Sequence, residues 1–214
     1  MHSNKDALRK TMLGKRQAVT SQEAGVAGIR IWQQIESQIL AAILPGHQTD
    51  RSSEDILCIS LYCSDSTEPD FSEIIRPEST DNVDDVSIPY QIALPTVCGQ
   101  QLIFRAYDPK IPLCRGSLGI LEPSDSLREI SPVEMDVVLV PGVAFDIHGH
   151  RLGRGKGYYD RYFNSIPPDS RPLLVGVCHD FQLIDYVPTQ SGDFPMDIVV
   201  TPDRFIDISG RFDR

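Results

Sequence analysis

Between Val140 and Phe163 the chain reads "VPGVAFDIHGHRLGRGKGYYDRYF", the densest run of chemically useful side chains in its 214 residues. Gly153, Gly155 and Gly157 alternate with Arg154 and Lys156, and Tyr158, Tyr159, Asp160 and Arg161 follow directly. Glycines at alternate positions let backbone N–H groups turn inward without Cβ clashes. A run of such donors ahead of a helix forms a nest for an anion. Arg154 and Lys156 add full charges at the same place, so the group suits a di- or triphosphate. A solvated surface loop is the other reading that the spacing leaves open.

The named phosphate motifs do not fit this stretch. A Walker loop needs G-x-x-x-x-G-K followed by Ser or Thr. Gly149 precedes Gly155 by one residue too many, and Gly157 stands where the hydroxyl should be. A G-x-G-x-x-G started at Gly153 would place its third glycine at Tyr158. Without a Walker hydroxyl, magnesium would need carboxylates, and it takes one or two of them beside phosphate oxygens and water. Asp160 lies one helical turn beyond the loop, and "GDFPMD" offers a second in Asp193 or Asp197. An Asp160–Arg161 surface ion pair is equally open. His148 and His150, flanking Gly149, read as loop polarity rather than as a metal pair.

The formal net charge is −10, which on average repels nucleic acid and anionic membranes. The cations are concentrated, however. His148–Arg161 carries Arg151, Arg154, Lys156 and Arg161 against Asp160 alone, and Met1–Arg16 carries Lys5, Arg9, Lys10, Lys15 and Arg16 against Asp6 alone. Two basic islands in an acidic body point to a small, concentrated anion. No apolar run approaches the roughly 18 residues that span a bilayer, and "MHSNKDALRK" lacks the apolar core of a secretory signal. The five cysteines are odd in number and scattered, so neither a disulfide framework nor a zinc site is expected and a reducing cytoplasm is the natural compartment.

The elements that must position these residues alternate between strand and helix. Ser3 with Asp6 reads as a capping box opening a helix to about Gln17. Thr20 with Glu23 repeats the device for a second helix, with Val26, Ile29, Trp32, Ile35 and Ile39 as its apolar stripe and Pro45-Gly46 as its end. "DILCISLYC" and "MDVVLVPG" are near-continuous apolar runs, the pattern of buried parallel strands. "EPDFSEII" offers a short helix. "QIALPTV" and "QLIFRAY" are strands about a turn at Gly99, and "RPLLVGVC" and "MDIVVT" are two more. A helix runs from about Gly157 through Tyr162. The acidic stretch Arg76–Pro89 reads as a surface loop or insertion. Together they predict one α/β domain over residues 1–214, a mostly parallel or mixed sheet with helices on both faces. Ligands in such sheets gather beyond the carboxyl ends of the strands, where the Pro141–Lys156 loop departs and leads into a helix.

In sequence, "VLVPGVAFDIHGHRLGRGKGYYDRYF" resembles the signature of the 5-formyltetrahydrofolate cyclo-ligases, also called methenyltetrahydrofolate synthetases. The likeness continues through Lys5 and Arg9 in "KDALRK", Glu68 in "LYCSDSTEPDF", Leu94-Pro95, Phe104, "GILEP" at Gly119–Pro123, and "GDFPMDIVVT". It implies an ATP- and magnesium-dependent closure of 5-formyltetrahydrofolate to 5,10-methenyltetrahydrofolate, with a phosphorylated formyl oxygen on the way. By the same resemblance Lys5 and Arg9 reach the triphosphate from the first helix. Arg151, Leu152, Gly153, Arg154, Gly155, Lys156, Gly157, Tyr158 and Tyr159 wrap the nucleotide. Arg154 and Lys156 stabilise the moving phosphoryl group and, with Tyr158, Glu68 and Cys63, meet the folate. Asp160 and Asp193 hold the metal. Cys63 stands where the family usually has a larger apolar residue, and Tyr107 where relatives often have tryptophan.

Two other readings remain at this stage. One is a sugar-phosphate isomerase or acyl-transfer relative on a similar sheet; the other is a non-catalytic anion-binding module. The sequence leaves the oligomeric state open and is compatible with a monomer that binds neither nucleic acid nor membrane.

Overall fold

In a computed structural model, residues 2–43, 56–76, 90–116 and 118–212 are described. Residues 77–89 of the acidic stretch and the Pro45-Gly46 stop lie outside them. The framework is an eight-stranded sheet in the order β13-β12-β10-β7-β1-β2-β3-β6. Its centre is parallel: β12 (Ile198–Val200), β10 (Leu173–Val177), β7 (Val137–Pro141), β1 (Leu57–Ser60) and β2 (Tyr90–Cys98). The edges are antiparallel, formed by β13 (Phe205–Asp207) on one side and β3 (Gln101–Ala106) and β6 (Glu129–Ile130) on the other. The sheet is therefore mixed, and every strand expected from an apolar run is present.

β7, β10 and β12 carry no polar side chain because both faces of the sheet are covered there. Along β7, Val137 and Leu139 join one core layer while Val138 and Val140 join the other. On the first face lie Ile31, Trp32, Ile35 and Ile39 of the long helix; on the second lies Phe163 of α4 (Tyr158–Asn164). Ile31, Ile35 and Ile39 are all 0% exposed. Burial of a side chain of this size contributes about 1.5–3 kcal/mol.

The helices depart from expectation in three respects. Helix α1 spans His2–Arg16, so Ser3 sits inside it rather than at its cap, and Asp6 instead pairs with Arg9 on the next turn. Helix α2 (Ser21–Gln34) has the Thr20–Glu23 capping box, with the Glu23 amide donating to Thr20 Oγ1 at 3.2 Å and the Thr20 amide to Glu23 Oε2 at 2.8 Å. Its buried face, however, is Ala24, Ala27, Gly28, Ile31 and Trp32, whereas Val26 is 51% and Ile29 40% exposed. Small residues are needed there because the chain before α3 (Ser72–Ile75) presses against α2, the Asp70 amide donating to the Ala24 carbonyl at 2.9 Å. After Gln34 the helix widens into a π-helical stretch, Ile35–Leu40, which carries Ile35 and Ile39 back onto the sheet.

The third departure bears on the site. The chain leaving β7 does not run straight into α4. It first folds into a hairpin of β8 (Ala144–Asp146) and β9 (Arg151–Leu152), extended by β11 (Leu183–Ile184). The hairpin turn is tied by the buried Asp146, whose carboxylate accepts from the amides of His148, His150 and Val187 and contacts the His150 ring at 3.0 Å. That ties both histidines to the turn, as loop polarity. The remaining hairpin, β4 (Cys114–Arg115) with β5 (Leu121–Glu122), stands apart from the main sheet. Among the described residues no helix is long and apolar enough to cross a membrane, and the five cysteines are free thiols.

Candidate active site

A cleft of about 800 Å³ opens at the carboxyl ends of β7 and β1, lined on its charged side by Lys5, Arg9, Gly153–Tyr159, Asp160 and Asp193. Tyr62, Cys63 and Glu68 also line it, and Pro95, Val97, Leu102, Ile120 and Leu121 give it an apolar wall that includes Glu122.

The glycine loop is shaped by two residues in the left-handed region, Gly155 at φ 95° and Gly157 at φ 65°. A side chain would be strained at either. Among the described residues, the amides of Gly153 through Gly157 donate to no other protein group. A row of unspent donors beside a cation cluster is the arrangement an anion nest requires. Arg9 closes on the loop from α1, its Nε donating to the Gly153 carbonyl at 2.9 Å. Lys5, buried one turn earlier, pairs with Asp193. The two basic islands of the sequence thus meet in one cleft.

Four of the cleft's cations are already matched to carboxylates. Lys5 takes Asp193, Arg9 takes Asp6, Arg151 donates to Asp160 Oδ1 at 3.0 Å, and Arg154 bridges Asp65 and Glu68. Lys156 is exposed and has no ion-pair or hydrogen-bond partner for its side chain among the described residues. Tyr158 and Tyr159 are half-buried, and each ring carries a guanidinium at 5.3 Å, from Arg161 and Arg151 respectively. Leu152 is 1% exposed and packs with Met12 of α1, fixing where the loop begins.

Asp160 and Asp193 can be tested as metal ligands. Asp160 receives Arg151 and the Phe194 amide on Oδ1, and Asp193 receives Lys5 and the Gln190 amide on Oδ2. The second oxygen of each has no protein partner among the described residues. Both carboxylates line the cleft. Asp197 does not: its oxygens hold Arg171 and the Leu174 amide. No three His, Cys, Asp or Glu side chains converge among the described residues. The donor set fits magnesium, which completes its shell with ligand oxygens and water, and it does not form a closed protein cage.

The loop from Asp65 to Glu68 was not legible as a unit. Arg16, 2% exposed at the end of α1, donates to Thr67 Oγ1, Asp65 and Glu68 from behind, while Arg154 meets the same two carboxylates from the cleft side. Burial alone would raise the Asp65 carboxyl. The Thr67 hydroxyl, then Arg16 and Arg154, outweigh that and hold it down to about 2. Ser66, between them, has φ 74°, an uncommon conformation for a residue with a Cβ and a local strain held by the surrounding hydrogen bonds. The family resemblance of "LYCSDSTEPDF" points to Glu68, but nothing in the sequence ties Arg16, Asp65 and Thr67 to it.

Cys63 is half-buried on the cleft wall, its thiol pushed up to about 11 mainly by burial, so it acts there as a neutral apolar surface. Tyr107 lies off the cleft, in the core, where its hydroxyl accepts from Arg76 Nε at 3.0 Å. Phe104 is likewise a core residue, 5.0 Å from the Tyr162 ring.

A mixed sheet with a cation-rich glycine loop at the carboxyl ends of its strands defines an α/β protein with a candidate anion site. The sequence profile of the 5-formyltetrahydrofolate cyclo-ligase family matches residues 1–202, and the chain belongs to that family. It is 39% identical over 104 residues to the 5-formyltetrahydrofolate cyclo-ligase of Escherichia coli strain K12, covering 48% of this chain and 57% of that one. To the Saccharomyces cerevisiae 5-formyltetrahydrofolate cyclo-ligase it is 42% identical over 96 residues, 43% of this chain and 44% of that one. The chain thus spans about half the length of the curated relatives it matches. The solved structure of the Aquifex aeolicus 5,10-methenyltetrahydrofolate synthetase superposes with a TM-score of 0.69 at 29% identity, covering 98% of this chain and 94% of that one. A Mycoplasma pneumoniae 5,10-methenyltetrahydrofolate synthetase shares the fold, with a TM-score of 0.62 at 24% identity, covering 93% of this chain and 99% of that one.

Proposed function

We propose that this protein closes 5-formyltetrahydrofolate to 5,10-methenyltetrahydrofolate at the expense of ATP, releasing ADP and phosphate. The observation that carries the reading is the meeting of Lys5 and Arg9 with the Gly153–Gly157 loop in a cleft whose far wall is apolar. One end suits a polyphosphate and the other a flat heterocycle.

In this reading the amides of Gly153–Gly157 and the side chains of Lys5, Arg9 and Arg151 hold the nucleotide phosphates, with Leu152 and Tyr159 shaping the pocket. The formyl oxygen attacks the γ-phosphorus and ADP leaves. N10 then attacks the activated formyl carbon and gives up its proton, and the C–O bond breaks with its electron pair leaving on phosphate. Phosphoryl transfer asks chiefly for alignment and charge neutralisation. Lys156, free of any carboxylate, is the group able to follow the moving phosphoryl charge. Arg154 is the second, after exchanging Asp65 and Glu68 for the anion. Glu68 accepts from N–H groups of the reduced pterin, beside Tyr158 and the neutral Cys63. Asp160 and Asp193 would hold magnesium by their open oxygens, and the ion would neutralise charge on the phosphate oxygens.

Every residue assigned here comes from one chain, so the reading works for a monomer, and it requires neither nucleic acid nor membrane. Free thiols suit a reducing cytoplasm. The test is direct: with Mg-ATP and 5-formyltetrahydrofolate the purified protein should develop the near-ultraviolet absorbance of the methenyl product. A folded preparation showing no ATP-dependent change would reject the reading.

A further inference from the structure

Five carboxylates line the cleft: Asp6, Glu68, Glu122, Asp160 and Asp193. Four are matched to cations, as described above. Glu122 has none among the described residues; its sole hydrogen bond is a long one, from the Val97 amide to Oε2 at 3.3 Å. It is nevertheless 9% exposed, at the end of the cleft walled by Pro95, Val97, Ile120 and Leu121. A carboxyl in apolar surroundings without a cation or a full set of donors is destabilising unless something else supplies them. The β4–β5 hairpin is built to keep it there. Cys114 and Glu122 are opposite each other in the ladder, and Gly116 packs so closely that a Cβ would fall 2.1 Å from the Glu122 carboxyl carbon. Burial pushes the group upward, the Val97 amide opposes this, and Asp125 adds to it. Its charge is also felt at Cys63 on the neighbouring wall.

An acceptor held bare in an apolar pocket calls for a flat ligand that brings its own N–H donors. Resting on the folate reading above, we propose that Glu122 is a second substrate-binding carboxylate, accepting N–H donors of the reduced pterin that Glu68 does not take. Both arginines sit on Glu68 Oε1, leaving Oε2 with only the Asp65 amide at 3.4 Å, whereas Glu122 has its Oε1 unclaimed and no cation on either oxygen among the described residues. The two would grip the heterocycle from different sides, which rewards the pterin over any flat apolar ring of the same size. An unpaired buried acceptor is what makes a site reject a ligand lacking the donor.

Glu122→Gln keeps one oxygen for the Val97 amide and removes the charge. Titrated with 5-formyltetrahydrofolate without nucleotide, it should bind about tenfold or more weakly than wild type. Its affinity for a non-hydrolysable ATP analogue should stay unchanged, and its melting temperature should hold or rise, since a buried charge has gone. Gly116→Ala, which displaces the carboxyl without altering it, should give the same selective loss. The inference is overturned if Glu122→Gln binds the folate within about twofold of wild type. It is also overturned if ATP-analogue affinity or melting falls in parallel, or if kcat collapses while folate affinity holds. A wild type that binds no folate would overturn the folate reading and this inference with it. A folate-binding wild type matched by Glu122→Gln would overturn the inference alone.

Discussion

At one end of the cleft Lys5, Arg9, Arg151 and Arg154 each answer a carboxylate; at the other, Pro95, Val97, Leu102, Ile120 and Leu121 present hydrocarbon to a single unmatched Glu122. The charged end is aligned before any ligand arrives, because a guanidinium clamped by a carboxylate has already lost its rotamer freedom. A polyanion entering there exchanges partners and pays little further ordering entropy. The apolar end owes its shape to β2, β3 and the β4–β5 hairpin, and on the proposed reading its specificity to one acceptor. On the proposed reading, affinity for the anion and choice of the heterocycle would rest on separate parts of the molecule, and each could be damaged alone.

The largest effect should come from the hidden side of the charged end. Arg16→Met strands Asp65 and Glu68 behind Arg154, and breaking a buried pair by removing one partner typically costs about 3–5 kcal/mol. Denaturant unfolding would read it; a loss under about 1 kcal/mol would mean that Arg154 alone suffices to hold the loop. Lys156→Ala should come next, lowering turnover about 100-fold or more with the melting temperature unmoved, as for loss of a transition-state donor. Turnover within a few-fold of wild type would remove the loop's free cation from the chemistry. Asp160→Asn keeps an oxygen for Arg151 but replaces the open one with an NH2 that cannot ligate a metal, so the magnesium concentration for half-maximal rate should rise about tenfold or more; an unchanged requirement would take Asp160 out of the metal site.

Acid separates the ends more gently. The folded Asp65 carboxyl is held at about 2, below its ordinary 3.8, so it contributes stability above pH 4 that is lost as pH falls toward 2. Glu122 is shifted the other way, so its protonation on acidification relieves a burden. Asp65→Asn should therefore flatten the acid limb of a stability–pH curve, and Glu122→Gln should not. Equal flattening by both would contradict the contrast between the ends.

Much of this was legible in the chain. The apolar runs around Ile59, Val138, Val175 and Val199 named their strands because parallel strands buried on both faces are hydrophobic without interruption. The Gly153–Gly157 loop stood out through a local pattern. What escaped was whatever depended on distant partners. Arg16 counted only as one more cation of the first basic island, while its partners Asp65 and Glu68 lie 49 and 52 residues on. The α2 stripe was drawn through Val26 and Ile29 because helical periodicity favours large apolar residues; the real contact selected Ala24, Ala27 and Gly28 since backbone approaches there. The short strands β8 and β9 carry too few residues for a period-2 signal. Glu122 sat within a matched stretch, yet nothing in its neighbours announced that it would be the unpartnered one.

The reach of α1 has a consequence for how the protein is made. Lys5 finds its partner 188 positions downstream, and Arg9 finds its own 144 positions on. During synthesis this helix leaves the ribosome long before either surface exists; Arg16 at its end can meet Asp65 and Glu68 early, but Lys5 and Arg9 must wait for Asp193 and Gly153. The cleft is then the last thing completed, and a polypeptide stalled short of Asp193 could own the sheet's centre and still lack a place for a phosphate.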